Sequence, residues 1–342
     1  MLPERSVSPS RRTGPRHRKT MRLVVILAVL LALVTLGRHL EFSLSSPDER
    51  RSVVATLKRQ QQIRFPAFNG SIAYDHLVMV AGHAVTMVES LEYVATSDSA
   101  WYLLDYQRDR DLPGEFVAHV KKGVEVAASD PKALLLFSGG QTRADAGPRS
   151  EAQSYFFIAE HFRWFDHPEV ARRTHTEEYA RDSFENLLFA ICRFAELTGE
   201  KYPKKITVVS FDFKRLRFQQ LHAAALRFPN LDYAPMNPFD TNANSRFDAV
   251  AAATGESATV HQFESDPYGC SSALLKNKRT QRDPFKRTVP YGPHCPAMQP
   301  LLTYCGPDLY PDTLPWYKKG DNTQEKQAGS AADSPSSSSR RK

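Results

Sequence analysis

Several familiar signatures are missing from this sequence, and each absence narrows what the chain can do. There is no GxGxxG and no GxxxxGK[ST], which removes the dinucleotide fingerprint and the phosphate-cradling P-loop. No CxxC pair occurs among the four cysteines, Cys192, Cys270, Cys295 and Cys305, which argues against a zinc ribbon. His161, His167 and His175 are spaced too irregularly for a metal site, and no metal is expected. No apolar run reaches the roughly 20 residues of a typical membrane span. Acidic charge is in deficit, with a formal net charge of +7, but much of the excess sits at the two ends. Basic tails of that kind are solvated or membrane-proximal, so nucleic acid is not an expected partner.

What is present begins with the ends. Residues 1–22 are rich in Arg, Ser and Pro and cannot bury a core. Residues 23–37, LVVILAVLLALVTLG from Leu23 to Gly37, are too apolar to expose, with basic residues before them and Glu41, Asp48 and Glu49 after. This charge asymmetry predicts a type II signal anchor with the remainder of the chain in the lumen. The rival is a cleaved signal peptide cut near Gly37. A short span suits the thinner membranes of the endoplasmic reticulum and early Golgi. Residues 38–71 read as a luminal stem, and Asn69-Gly70-Ser71 is a glycosylation sequon. Residues 318–342 are a low-complexity tail. At 342 residues, the length allows one large domain or two small ones.

Between these ends, residues 72–260 read as one α/β domain. Short apolar runs at 76–81, 133–137, 206–210 and 231–234 predict strands. Residues 99–106, 115–128, 151–159, 183–198 and 213–228 predict helices, and 164–179 are polar and irregular. The helix at 183 is the most amphipathic, with Phe184, Leu187, Leu188 and Ile191 on one face. Strands and helices in alternation predict a Rossmann-like open, mostly parallel sheet covered by helices on both faces. Residues 261–317 are dense in proline and aromatics and predict an irregular extension wrapped over that domain. In a lumen two of its cysteines would pair. Cys295 with Cys305 is the first choice because it closes the shortest loop, and Cys192 is expected to stay a buried thiol.

Three strand ends carry candidate chemistry: Gly82-His83, Ser138-Gly139-Gly140, and Ser210 with Lys214 and Arg217. In a parallel sheet such positions share the carboxyl edge, where ligands bind and helix N-termini favour anions. Arg offers a bidentate fork to phosphate. A Gly-Gly pair after a strand is also an ordinary turn, and Lys214 and Arg217 also fit a solvated helix face. Arg181-Asp182-Ser183-Phe184-Glu185-Asn186 crowds more polar groups at one helix start than a cap needs. Glu151 holds a similar place on the helix before it. Two carboxylates at neighbouring helix starts, Glu151 and Glu185, are raw material for acid/base catalysis or cation binding.

The order SGG, Ser-Glu-Ala, Arg-Asp-Ser-x-Glu-Asn and V-V-S-x-x-F-K-x-x-R resembles the DUF218 family of Rossmann-like proteins, including its membrane-anchored fungal and plant branch. The resemblance covers about residues 77–235. It implies that Gly82, Ser138, Gly139, Gly140, Glu151, Ser183, Glu185, Asn186, Ser210 and Arg217 belong to one site. The family pattern usually has His where this chain has Lys214, and a lysine of ordinary pKa would not share that position's proton chemistry. For members of the family, envelope polymer metabolism and S-adenosylmethionine binding have been proposed, and the cofactor here is unknown. The expected function is binding of an anionic, phosphorylated or nucleotide-like small molecule, by an enzyme of glycan or lipid-linked precursor metabolism. The alternative is a non-catalytic ligand-binding or scaffold protein of the secretory membrane.

Overall fold

The computed structural model describes residues 73–317 apart from Ala243. The expected anchor at 23–37, the basic segment before it, the stem with Asn69, and the tail from 318 lie outside these residues. Among the described residues no helix is long and apolar enough to cross a membrane.

Five strands form one all-parallel sheet: β1 (His76–Ala81), β4 (Ala133–Ser138), β5 (Thr174–Glu177), β6 (Lys205–Phe211) and β7 (Leu231–Met236), in the order β5-β4-β1-β6-β7. The two remaining strands, β2 (Val85–Thr86) and β3 (Trp101–Tyr102), make a small antiparallel pair. β1 is apolar on both faces because both are covered. Leu77, Met79 and Ala81 face one core with helix α3 (Ser183–Thr198), while Val78 and Val80 face the other with α1 (Leu112–Ala128) and α2 (Glu151–His161). Ser150 caps α2 by accepting the Gln153 N–H at 2.9 Å. Asp182 caps α3 by accepting the Glu185 N–H at 2.9 Å.

Four sequence expectations change. Residues 99–106 are not a helix: a turn at Asp98–Ala100 leads into β3, with Trp101 and Leu103 buried at the alternate spacing of a strand. The stretch 164–179 contains β5, an edge strand without an apolar run. It is tied in by Arg173, which donates to the Ala133 carbonyl at 2.6 Å and the Asp130 carbonyl at 2.8 Å. The extension after 260 is largely helical, with α4 (Ala249–Ser265), α5 (Ala273–Gln281), α6 (Tyr291–His294) and α7 (Gln299–Thr303). The boundary expected at 260 therefore falls inside α4. Its aromatic and aliphatic side chains Phe263, Tyr268, Leu275, Tyr291, Met298 and Tyr310 complete the core on the α3 face.

The fourth change is the disulfide. Cys270 bonds Cys305, with Cα atoms 5.6 Å apart, and Cys295 does not pair with Cys305. Loop length favoured the nearest partner, but packing decides. Tyr291 anchors α6 in the core and carries Cys295 inward to the Tyr202 hydroxyl (3.6 Å), beside the Cys192 thiol. Cys192 is a buried free thiol, as is Cys295.

Candidate functional site

Counted within the main sheet, the strand order is 3-2-1-4-5, so the chain reverses direction of assembly between β1 and β6. Crossover helices leave to opposite faces there and open a crevice at the carboxyl ends. A cleft of about 440 Å³ occupies that point. Ala81, Gly82 and His83 leave β1 on its floor, and Ser210 and Phe211 end β6 beside them. The starts of α2 and α3 contribute Glu151, Ser183 and Asn186. The small residues Ala251, Ala252 and Gly255 of α4 form the opposite wall, and Lys278 of α5 with Arg282 just after it close one side.

Nine of the expected residues line this cleft: Gly82, His83, Glu151, Arg181, Ser183, Asn186, Ser210, Lys214 and Arg217. Ser138, Gly139 and Gly140 stand behind it. Ser138 Oγ sits 2.7 Å from Glu177 Oε2 and 3.0 Å from Asn186 Oδ1, inside the protein. Burial pushes the Glu177 carboxyl up to about 7, against hydrogen bonds from Ser138, the Tyr179 N–H and Tyr291. The glycines have a different task. A Cβ on Gly82 or Gly139 would lie 2.6 or 2.8 Å from Glu151 Cβ, so both residues must be glycine for Glu151 to pack at the strand ends.

Glu185 does not line the cleft. Its Oε2 accepts from the Arg181 N–H and Nε, both at 2.9 Å, and its Oε1 from Arg181 Nη2 at 2.6 Å, with Arg279 Nε 3.3 Å away. Both oxygens are engaged by a buried ion-pair network, apart from the cleft where the sequence pattern placed this carboxylate. Asp182 joins that network through Arg279 at 2.6 Å. Although burial works to raise its pKa, Arg279 brings it down to about 2. Arg217 is likewise committed. It donates to both oxygens of Glu256 at 2.8 and 2.7 Å, and its Nη1 donates to Ser183 Oγ at 2.8 Å. Its fork is therefore filled by a carboxylate from α4 rather than held open for phosphate.

The charge that stays open belongs mostly to residues the sequence reading missed. Lys214, Lys278, Arg143 and Arg282 line the cleft, and among the described residues none has a carboxylate within ion-pair distance. Arg143 Nη1 reaches only the Thr142 carbonyl at 3.3 Å, and Arg282 Nη1 only the Arg181 carbonyl at 3.0 Å. Burial, followed by the neighbouring Arg217, lowers Lys214 to about 7. Burial, followed by Arg282 and Arg217, lowers Lys278 to about 8. Burial and then Arg282 also lower Arg143. Facing them, Glu151 has no cationic partner. Its Oε1 accepts from Thr142 Oγ1 at 2.7 Å, and no bond engages Oε2 among the described residues. Phe211, Phe213 and Phe247 stack with interplanar angles of 14° to 20° along one wall. Among the described residues, no three His, Cys, Asp or Glu side chains are grouped to hold a metal ion.

No family model matches the chain, and no solved structure does. An uncharacterised protein of Saccharomyces cerevisiae, YOR238W, is 30% identical to it over 233 residues, which is 56% of this chain and 76% of the yeast protein.

Proposed function

The chain belongs to the family of this yeast protein, and we propose from its own cleft that it binds an anionic small molecule, phosphorylated or nucleotide-like, on the luminal side of a Golgi or endoplasmic reticulum membrane. The observation that carries the reading is the set of four cleft cations without carboxylate partners, Lys214, Lys278, Arg143 and Arg282. A protein normally matches buried charge with its own counter-charge. Two lysines driven down to about 7 and about 8 at one place describe positive charge held in reserve for an anion. The stacked phenylalanines beside Lys214 offer a flat wall to a planar ring. The ordered motifs that resemble the DUF218 family support the same site, and the charge asymmetry around residues 23–37 supports the luminal placement.

The chemistry we assign is that of an enzyme of glycan or lipid-linked precursor metabolism, with Glu151 as the acid/base group. Glu151 is the cleft carboxylate with no cation within ion-pair distance among the described residues, and it lines the same cavity as the four cations. Glu185, consumed by Arg181 and Arg279, has no part in it. That consumption also favours a second reading, a non-catalytic ligand-binding protein, because one acid/base group then remains of the two the sequence offered. A thermal-shift screen of nucleotides, sugar nucleotides, S-adenosylmethionine and inorganic pyrophosphate tests the binding. The expected result is stabilisation by phosphorylated compounds, lost in Arg282→Ala. Stabilisation by uncharged sugars alone would sink it. For any stabilising ligand, Glu151→Gln should keep binding and lose turnover; unchanged turnover would leave the non-catalytic reading.

A further inference from the structure

Lys214 stands apart from the other cleft cations. Its Nζ lies 3.3 Å from His83 Nδ1 and sits 5.4 and 5.6 Å from the ring centres of Phe211 and Phe213. His83 in turn stacks on Phe211, with ring centroids 4.8 Å apart, and its Nε2 is 3.5 Å from Ser210 Oγ. Burial and the nearby Lys214 hold the His83 imidazole well below its ordinary pKa, so it is neutral. An ammonium has only donors, so Nδ1 of His83 accepts from Lys214 and Nε2 carries the ring proton toward Ser210. One N–H of Lys214 is thereby fixed, the stacked rings of Phe211 and Phe213 lie beside it, and the side chain lines the cleft.

We propose that Lys214 is a carbonyl-reactive amine, and that the ligand of the cleft is a phosphorylated compound bearing an aldehyde or ketone. This rests on the anion-binding reading, with Lys278, Arg282 and Arg143 holding the phosphoryl oxygens. The reaction is a condensation: the lone pair of the neutral amine attacks the carbonyl carbon, the adduct loses one water, and an imine joins Nζ to the ligand. No oxidant or reductant is needed. The groups that face Lys214 are Arg217, Glu256, Arg282, Glu151, His83 and His119. Burial, then Arg217 and Arg282, bring it to about 7 against Glu256 and Glu151, which raise it. Roughly half of the amine is then neutral at pH 7, against about one part in a thousand or less for an ordinary lysine. Glu151, across the same cleft, is placed to take up and return the protons that imine formation moves.

The test uses the full-length chain and pyridoxal 5′-phosphate as the probe, at pH 7 and below stoichiometry, with borohydride to trap imines and peptide mapping to locate them. Lys214 is expected to label at least about tenfold faster than lysines outside the cleft, with a rate that rises through pH of about 7 rather than near 10. Pyridoxal without its phosphate should label it at least about tenfold more slowly, the loss expected for a charge-assisted hydrogen bond or more. Lys214→Arg should remove the label and leave the melting temperature close to that of the parent. If pyrophosphate stabilises the chain but Lys214 labels no faster than surface lysines, the amine is ordinary: the proposal falls and the anion-binding reading stands. If pyridoxal and its phosphate label Lys214 equally, the phosphate site is absent and the proposal falls with the reading beneath it.

Discussion

Two charge clusters meet at the start of α3 and they are built on opposite principles. On one side Asp182, Glu185 and Asp283 face Arg181 and Arg279 through contacts of 2.6 to 3.5 Å. On the other, Lys214, Lys278, Arg143 and Arg282 line a cavity whose carboxylates are already taken, Glu256 by Arg217, Asp182 by Arg279 and Asp248 by Arg110, with Glu151 alone outside ion-pair distance of a cation among the described residues. The first cluster is closed: the protein supplies both signs and uses them to fasten α5 and the segment after it to α3. The second is open. A polar side chain at a helix start says little until its partners are counted, and the count differs between Glu185 and Glu151 although both occupy the first turn of a helix.

The comparison can be broken most severely in the closed cluster. Asp182→Ala removes the α3 cap and the nearer carboxylate of buried Arg279, leaving it Glu185 at 3.3 Å, and breaking a buried pair from one side costs about 3–5 kcal/mol. Urea unfolding should show that loss. A stability change below about 1 kcal/mol, within reach of an exposed pair, would mean that the cluster is not closed. The Cys270–Cys305 bond comes next. Its loop spans a separation of 35 residues. Reduction should cost about 3–4 kcal/mol in the chain-entropy picture. Non-reducing peptide mapping that linked Cys295 to Cys305 instead would overturn the packing argument.

Effects in the open cluster are smaller and appear in binding. Arg282→Ala should weaken an anionic ligand by about 1.5–3 kcal/mol and leave unfolding nearly unchanged, because its guanidinium holds only a backbone carbonyl. Arg217→Ala behaves as a member of the closed set: it strands Glu256 and lowers stability as well as affinity. Equal stability losses for the two variants, measured by urea titration, would erase the distinction drawn here.

How far the sequence carried this picture follows from what each feature depends on. The sheet was legible because β1, β4 and β6 are continuous apolar runs ended by glycine or polar residues, and α3 carries its burial at helical spacing. Residue types at strand ends were legible for the same reason, since a parallel sheet brings those ends to one edge. Lys278 and Arg282 were not, because nothing local in NKRTQR distinguishes a cleft wall from a solvated helix; their role exists only once the C-terminal extension has packed. β5 escaped notice because an edge strand of Thr and His needs no apolar pattern. Glu256, on which the state of Arg217 depends, lies in a stretch whose small residues match no single buried face.

The smallest expected effect separates the two clusters most sharply. Lys214→Met removes a cation that the fold holds at a cost. The folded pKa of about 7 lies below the ordinary 10.5, so between these values the unfolded chain binds more protons than the native one. The penalty from Lys214 is therefore fully present below pH of about 7 and fades as pH rises toward 10.5. Linkage over these values sets a ceiling of about 4–5 kcal/mol at pH 7. Lys214→Met also gives up the His83 hydrogen bond and the ring contacts, so the net gain in melting temperature should be roughly 2–4 °C, about 1 kcal/mol for a domain of this size, and it should vanish near pH 10. Saturating pyrophosphate should reverse the order. The parent chain gains the larger shift because its ammonium meets an anion, and that advantage declines as pH rises above about 7, where Lys214 loses its proton. In a closed cluster the same substitution would lower the melting temperature at every pH, with or without the anion. A melting series on both chains, across pH and with and without pyrophosphate, decides which kind of cluster Lys214 belongs to.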